Sequence, residues 1–425
     1  MRDEPAAPAA TAEHAAAEHA AAERAAAAAA GRAAAAADAA FGADLYRTLA
    51  GDAASMVFSP SSVASALRMA LCGARGQTAA ELARALHLAP SSRPEAAAVS
   101  GLSLVPAARD GGSAVFRAPN TVWVQSGLPL RAEFTGCLKQ AAATLAGADF
   151  AAAPDAARAE INQVIADQTA GKITGLLPPG AITALTRLVL ASAVYLKAAW
   201  ADPFPERATA DAPFHLDSPD DPGDAGDPGG AGGAPGGKGG GRTLAVPMMH
   251  GTATRSYLRG DGYQAVLLPY RDIGLAMAVL LPDGPLAALR PKVAAAGLGG
   301  LLAGTATHRV TLSLPRFRLE AAFDLIPALK RLGVIEAFGG GADFGGITGA
   351  APLQIGAVAH KAYIDVDERG TEAAAATAVV IRAAAAMRPP PPVTMVVDRP
   401  FLFAIVDTST SLPVFLGQVT RPGPG

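Results

Sequence analysis

Residues 371–382 can be read in two periods, and the choice between them constrains the fold more than anything else in the chain. Taken alone, the stretch reads as an alanine-rich helix running toward a stiff spacer of prolines, Pro389 to Pro392. Read at every second residue, Thr371, Ala373, Ala375, Thr377, Val379 and Ile381 share one face of a strand, and Glu372, Ala374, Ala376, Ala378, Val380 and Arg382 share the other. Both charges fall on one face, and the opposite face is wholly small or apolar. The adjacent β-branched residues Val379, Val380 and Ile381 weigh against the helix. The segment can therefore be a loop or helix in one state and a half-buried strand in another. Its small side chains would let it slide between existing strands, and Gly370 supplies free backbone dihedrals where a hinge is needed.

The rest of the chain must then supply a sheet able to accept a strand. Apolar residues make up 51% of the sequence, enough for a large core even though much of that fraction is alanine. The formal net charge of −2 gives no electrostatic footprint for nucleic acid or a membrane surface. No run has the density of large apolar residues that a membrane span needs, and Met1 to Pro5 do not open a secretory signal. The two cysteines, Cys72 and Cys137, are far apart and outside Cys-x-x-Cys spacing, so they read as buried free thiols and leave the redox compartment open.

Residues 1–38 are a low-complexity alanine-rich tail with helix propensity but no bulky face to bury. From Ala39 the texture changes. Phe41, Leu45, Tyr46 and Leu49 form a helical stripe, residues 63–71 form a helix opened by cap-type residues Ser59 to Ser62, and Thr78 with Glu81 reads as a capping box starting a third helix. Residues 120–124 and 188–196 read as strands and 161–169 as a helix. Residues 217–242 are a Gly/Pro/Asp-rich insertion in a surface loop. Strand patterns then multiply at 263–269, 275–281, 309–314, 362–366, 393–397, 401–407 and 414–419. Helices dominate the first half and strands the second, which predicts an α+β fold.

Enzyme signatures are missing. The chain has no Gly-x-Ser-x-Gly elbow, His-Glu-x-x-His pair or phosphate loop. The histidines are scattered, so no metal site is expected. The acidic cluster Asp365, Asp367 and Glu368 lacks calcium-loop spacing and reads as a solvated face. No cofactor is expected.

Glu368-Arg369-Gly370-Thr371-Glu372, followed by Ala373 to Thr377, resembles the hinge of inhibitory serpins almost residue for residue. Val57 to Ser62, Leu67-Arg68-Met69 and Gly73 to Thr78 resemble the family's early helical motif. Ile161-Asn162-Gln163, Thr169 to Ile173, Thr186 to Leu190, Tyr195-Leu196-Lys197, Trp200, Pro203-Phe204, Leu314 to Phe317, Asp343-Phe344, His360 to Ala362, Arg399 to Phe403 and Phe415 to Gly417 continue in the same order. The resemblance covers about residues 40–420. It implies one domain, 39–422, with three β-sheets, about nine helices and an exposed reactive-centre loop at 368–392. It also implies a metastable suicide substrate rather than an enzyme: a target serine or cysteine protease cleaves the loop, which inserts into the central sheet and traps the acyl-enzyme. The alternative is a non-inhibitory serpin serving as a carrier, chaperone or structural protein. Bulky, charged or proline residues at the hinge would favour that alternative, and the inward face of Thr371 to Thr377 has none.

The resemblance assigns the hinge to Glu368, Gly370, Thr371, Glu372, Ala373, Ala375 and Thr377, and the region that opens the sheet to Ser59, Ser62, Ser192, Trp200 and His360. Ser192 stands where the family usually has asparagine, and Ser55 replaces a second expected asparagine, so the network there is expected to be looser or repartnered. Counting forward from Glu368 puts the reactive bond at Ala384–Ala385, and counting back from Pro400 lands near Pro389, which leaves Met387 and Arg388 as alternatives. Alanine implies an elastase-like or subtilisin-like target, Met387 a chymotrypsin-like or elastase-like one, and Arg388 a trypsin-like one, although Pro389 disfavours cleavage there. The family resemblance implies a monomer in an extracellular setting, while the illegible export signal keeps a cytoplasmic one open.

Overall fold

The computed structural model describes residues 29, 31, 33–50, 54–89, 108–112, 114–140, 143–217, 242–372 and 391–423. The first helix, α1 (residues 33–49), is continuous across the change of texture at Ala39 and buries Phe41, Leu45 and Tyr46. Helix α2 (Pro60–Gly73) starts where the Ser59 hydroxyl accepts the Ser62 N–H and Pro60 takes the first turn, and every residue of it is buried. Helix α3 (Gly76–Ala85) begins two residues before the expected capping box. Thr78 and Glu81 cap a remote segment instead. The Thr78 hydroxyl accepts the Asp343 N–H at 2.9 Å, and the Glu81 carboxylate accepts the N–H groups of Ile335 and Glu336. The other helices are α4 (Ala132–Gln140), α5 (Pro154–Gln168), α6 (Leu289–Leu302) and α7 (Ile326–Arg331).

The strands are β1 (Met56–Phe58), β2 (Ala108–Gly111), β3 (Ala114–Arg117), β4 (Asn120–Gln125), β5 (Thr144–Ala148), β6 (Leu188–Ala199), β7 (Ala210–His215), β8 (Thr243–Gly260) and β9 (Tyr263–Pro269). They continue with β10 (Leu275–Pro282), β11 (Ala306–Pro315), β12 (Phe317–Asp324), β13 (Ile355–Val366), β14 (Gly370–Thr371), β15 (Val393–Val396), β16 (Phe401–Asp407) and β17 (Pro413–Val419). One sheet runs β12-β13-β14-β6-β3-β2, with β4 paired to β6 and β5 to β4. The other runs β1-β17-β16-β10-β9-β8-β11-β15, with β7 on β8. Three sheets are expected from the resemblance. Among the described residues the second and third are continuous, because the long β8 pairs with β7 and β11 through one part of its length and with β9 at its end.

The first sheet is covered on both faces, so β6 is an almost unbroken apolar run. Val194 and Leu196 point into the core shared with Met277, Phe317 and Phe403, and Val189, Ala191 and Ala193 pack under Ile161 and Ile165 of α5. Strand β13 begins at Ile355, well before the expected 362. Its first half, with Gly356, Ala357, Ala359, His360 and Lys361, has little β propensity and is held as a strand by β6, with β12 joining on the other side from Ala359. The cysteines correct the sequence reading: Cys72 of α2 and Cys137 of α4 form a disulfide across a sequence separation of 65, with Cα atoms 6.3 Å apart.

Candidate functional site: a hinge wedged into a sheet seam

Along most of their length β6 and β13 pair directly and in parallel, from Leu188 opposite Ile355 to Tyr195 opposite Tyr363. Above Tyr363 they separate. There β14 enters between them, antiparallel to both, with Thr371 opposite Val366 on one side and Ala198 on the other. The sheet thus has a closed seam with a strand's first two residues already seated at its mouth.

Gly370 sits so close to β6 that a Cβ there would lie 2.0 Å from the Ala198 carbonyl oxygen, so only glycine fits. Thr371 is wholly buried, and its hydroxyl meets the Tyr270 hydroxyl at 2.6 Å. Tyr270 stacks on Trp200 with ring centroids 4.5 Å apart. Trp200 donates its indole N–H to the Asp367 carbonyl at 3.0 Å and its backbone N–H to the Arg369 carbonyl. Burial pushes the Tyr270 phenol up, so it stays protonated as a hydrogen-bonding group. Asp367 accepts the N–H groups of Arg369 and Gly370 and closes the tight turn before the wedge.

Glu368 anchors the hinge. It is 3% exposed, and Arg316 grips its carboxylate through Nε and a terminal nitrogen at 2.6–2.9 Å while the Thr209 hydroxyl donates to it as well. Burial opposes the charged form, yet these donors outweigh it and hold the Glu368 pKa below the usual range. The anchor opens onto a charged cavity of about 340 Å³ lined by Glu206, Arg316, Asp365, Asp367 and Arg369. Glu372 is the last described residue before the loop. It has a φ of +47°, donates its N–H to the Asp365 carbonyl and pairs with Lys172, in the segment after α5.

Midway down the seam His360 is wholly buried. Its Nε2 accepts the Ser59 N–H at 2.9 Å, which places the ring proton on Nδ1, where it is donated to the Ser192 hydroxyl at 2.8 Å. Burial drives the His360 pKa down to about 3, against the contact with Ser192, so the ring is neutral. This contact joins β13 to β6, and Ser59 ties both to the start of α2. The Ser62 hydroxyl donates to Asn120 of β4 at 2.8 Å. Ser192 thus fills the place of the expected asparagine with one hydrogen bond to His360. Ser55 turns away, accepting the N–H groups of Thr420 and Arg421 at the end of β17.

Of the residues singled out from sequence, Ser59, Ser62, Ser192 and His360 form one cluster, and Trp200, Glu368, Gly370, Thr371 and Glu372 form a second at the mouth of the seam. Ala373, Ala375, Thr377, Ala384, Ala385, Met387 and Arg388 lie outside the described residues. Arg316, Thr209, Tyr270, Lys172 and Asn120 are functional partners that sequence reasoning missed. Arg316 and Lys172 lie in the motifs Leu314 to Phe317 and Thr169 to Ile173, although neither was assigned a role there. Among the described residues no His/Cys/Asp/Glu group of three or more could hold a metal, and no helix is long and apolar enough to cross a membrane.

A family model described as "Serpin (serine protease inhibitor)" matches residues 36–422. The chain is 36% identical to an uncharacterized serpin-like protein of Thermococcus kodakarensis, covering 91% of this chain and 85% of that one. It is 34% identical to a leukocyte elastase inhibitor of Bos taurus, covering 91% and 98%. Among solved structures it resembles Serpin48 of the insect Tenebrio molitor with a TM-score of 0.75 and 27% identity, over 92% of this chain and 98% of that one. A wedge at the mouth of a closed seam, a histidine-centred network beneath it and a family match over nearly the whole length lead to one conclusion: the chain belongs to the serpin family of serine protease inhibitors.

Proposed function

We propose that this protein inhibits a serine protease as a suicide substrate, by inserting residues 371–381 between β6 and β13. The observation that carries the reading is β14, two residues already in the seam and antiparallel to both neighbours. Extending that register moves each further residue one place back along β6, so Ile381 meets Leu188, where that strand begins, and Gly356 on β13. The alternating stretch is therefore as long as the seam. Thr371 faces the interior and Glu372 faces Lys172, so the smooth side of the inserted strand goes inward and Glu372 stays outside. Thr377 falls between Ser192 and His360, where its hydroxyl can take over the hydrogen bond that insertion breaks.

In this reading the protease serine attacks the carbonyl carbon of Ala384. An ester forms, the bond to Ala385 breaks, and the amine of Ala385 departs. Insertion then carries the ester-linked protease away from its own hydrolytic geometry. The C-terminal fragment remains attached because β16 and β17 are buried throughout. Small residues at 384 and 385 suit an elastase-like or subtilisin-like protease, and the leukocyte elastase inhibitors among the relatives support the former. The disulfide fits an oxidising, extracellular setting.

Incubation with elastase, subtilisin, chymotrypsin and trypsin tests the reading. One of them forms an adduct that survives boiling in detergent, and mass spectrometry of the C-terminal fragment, freed by denaturation, begins it at Ala385. Cleavage by all of them without an adduct would refute inhibition and favour the carrier alternative.

A further inference from the structure

In the proposed mechanism β6 moves away from β13 together with β3, β2, β4 and β5 and with α4, which joins β4 to β5 in the chain. Helix α2 packs on β17 of the other sheet as well as on β6 and β4, and its end is held by residues 343–347. The Cys72–Cys137 disulfide ties α4 to the end of α2. Cys137 lies on α4, which leads in the chain to β5, and β5 pairs with β4 from Thr121 to Gln125. Cys72 lies at the end of α2, whose next residue, Gly73, accepts the Gly346 N–H at 3.0 Å, and Arg75 donates its N–H to the Asp343 carbonyl at 2.8 Å. Residues 343–347 lead into β13. A single backbone hydrogen bond, from the Arg131 N–H to the Ile347 carbonyl, makes the same connection beside α4. The chain has two cysteines in all, and both are spent on this link.

We infer that this disulfide is a thiol–disulfide exchange site that governs the opening of the seam, a reading that rests on the insertion mechanism above. Closed, it ties the moving side to the anchored side and slows insertion. Its reductant is a dithiol. Cys72 is 4% exposed whereas Cys137 is only half-buried, so the attacking thiolate reaches the Cys137 sulfur and Cys72 leaves as a thiolate. The second thiol of the reductant then resolves the mixed disulfide. Two electrons and two protons pass to Cys72 and Cys137, and the reductant departs as its own disulfide.

The test compares three samples of the full chain: oxidised protein with no titratable thiol in denaturant, the same protein reduced with dithiothreitol and capped with iodoacetamide, and Cys72→Ala/Cys137→Ala. Each is nicked in the reactive loop, and insertion is followed by the combined fluorescence of Trp123 and Trp200 and by the gain in heat resistance. The reduced and double-variant samples insert roughly five-fold or more faster than the oxidised one, and dithiothreitol changes nothing in the double variant. Should that variant fail to fold, Cys137→Ala alone replaces it. Equal rates in oxidised and reduced protein, or two thiols that stay titratable after treatment with oxidised glutathione, overturn this inference alone. Nicked protein that gains no heat resistance in either redox state overturns the insertion mechanism, and this inference with it.

Discussion

His360 carries no charge in the folded protein, and that makes the sheet seam sensitive to acid. Its folded pKa, about 3, lies below the ordinary histidine value of 6.5, so between those values the unfolded chain binds a proton that the folded one does not. The stability is complete above about pH 6.5 and is lost as pH falls. Going from pH 7 to pH 5 is expected to remove about 2 kcal/mol of the contribution made by His360. In His360→Gln this acid limb flattens, as urea midpoints at the two pH values would show. A second buried pair was invisible from sequence: Asp38 of α1 and Arg68 of α2 lie 2.5 Å apart, 1% and 0% exposed. Asp38→Asn leaves a buried guanidinium without its counter-charge and is expected to cost about 3–5 kcal/mol. Asp38→Leu with Arg68→Met removes both charges and is expected to recover most of that loss, which denaturant unfolding of the single and double variants would measure.

At the scale of elements, β14 matters most, and its two residues depend on Gly370. In Gly370→Ala the new methyl meets the Ala198 carbonyl at a distance no carbon tolerates, and neither neighbour is a flexible side chain that could move aside. The hinge is expected to leave the seam, lose the Thr371–Tyr270 bond and destabilise the uncleaved form by about 1–3 kcal/mol. Under the proposed mechanism slower insertion would let hydrolysis win more often, so more inhibitor is expected to be consumed per protease trapped, which titration against a fixed amount of protease measures. The hinge was the most legible part of the site in sequence, because period-two alternation needs no knowledge of neighbours. The seam's lower half was not legible, since Ile355 to Lys361 become a strand by pairing with β6, joined by β12 from Ala359 onward.

At the scale of the whole molecule, the uncleaved sheet closes its seam with one parallel ladder, and the proposed insertion would replace it with two antiparallel ones. Ordering the strand costs about 1–2 kcal/mol per residue. About 1 kcal/mol returns per ladder hydrogen bond, together with the burial of Val379, Ile381 and the threonine methyls. In the proposed mechanism the balance is set by strain held in the closed form. Nicking the loop is expected to raise the unfolding midpoint by on the order of 10 °C or more, read by calorimetry before and after cleavage. The disulfide contributes separately: closing a loop of 65 residues is worth about 4 kcal/mol in the chain-entropy account. Reduction is therefore expected to lower the midpoints of both nicked and intact protein.

The chain by itself determined whatever depends on short-range backbone periodicity and ordered motifs: the alternating face at 371–381, the α+β order of elements, the glycine at the hinge and the cap at Ser59. Tertiary structure decided the partnerships. Arg316 reaches Glu368, Asp38 reaches Arg68, Cys72 reaches Cys137, and Thr78 with Glu81 cap residues far along the chain rather than their own helix. The physical reason is range: a period of two or 3.6 residues is written in adjacent side chains, whereas a buried charge or thiol finds its partner only after the layers have packed and brought distant segments face to face.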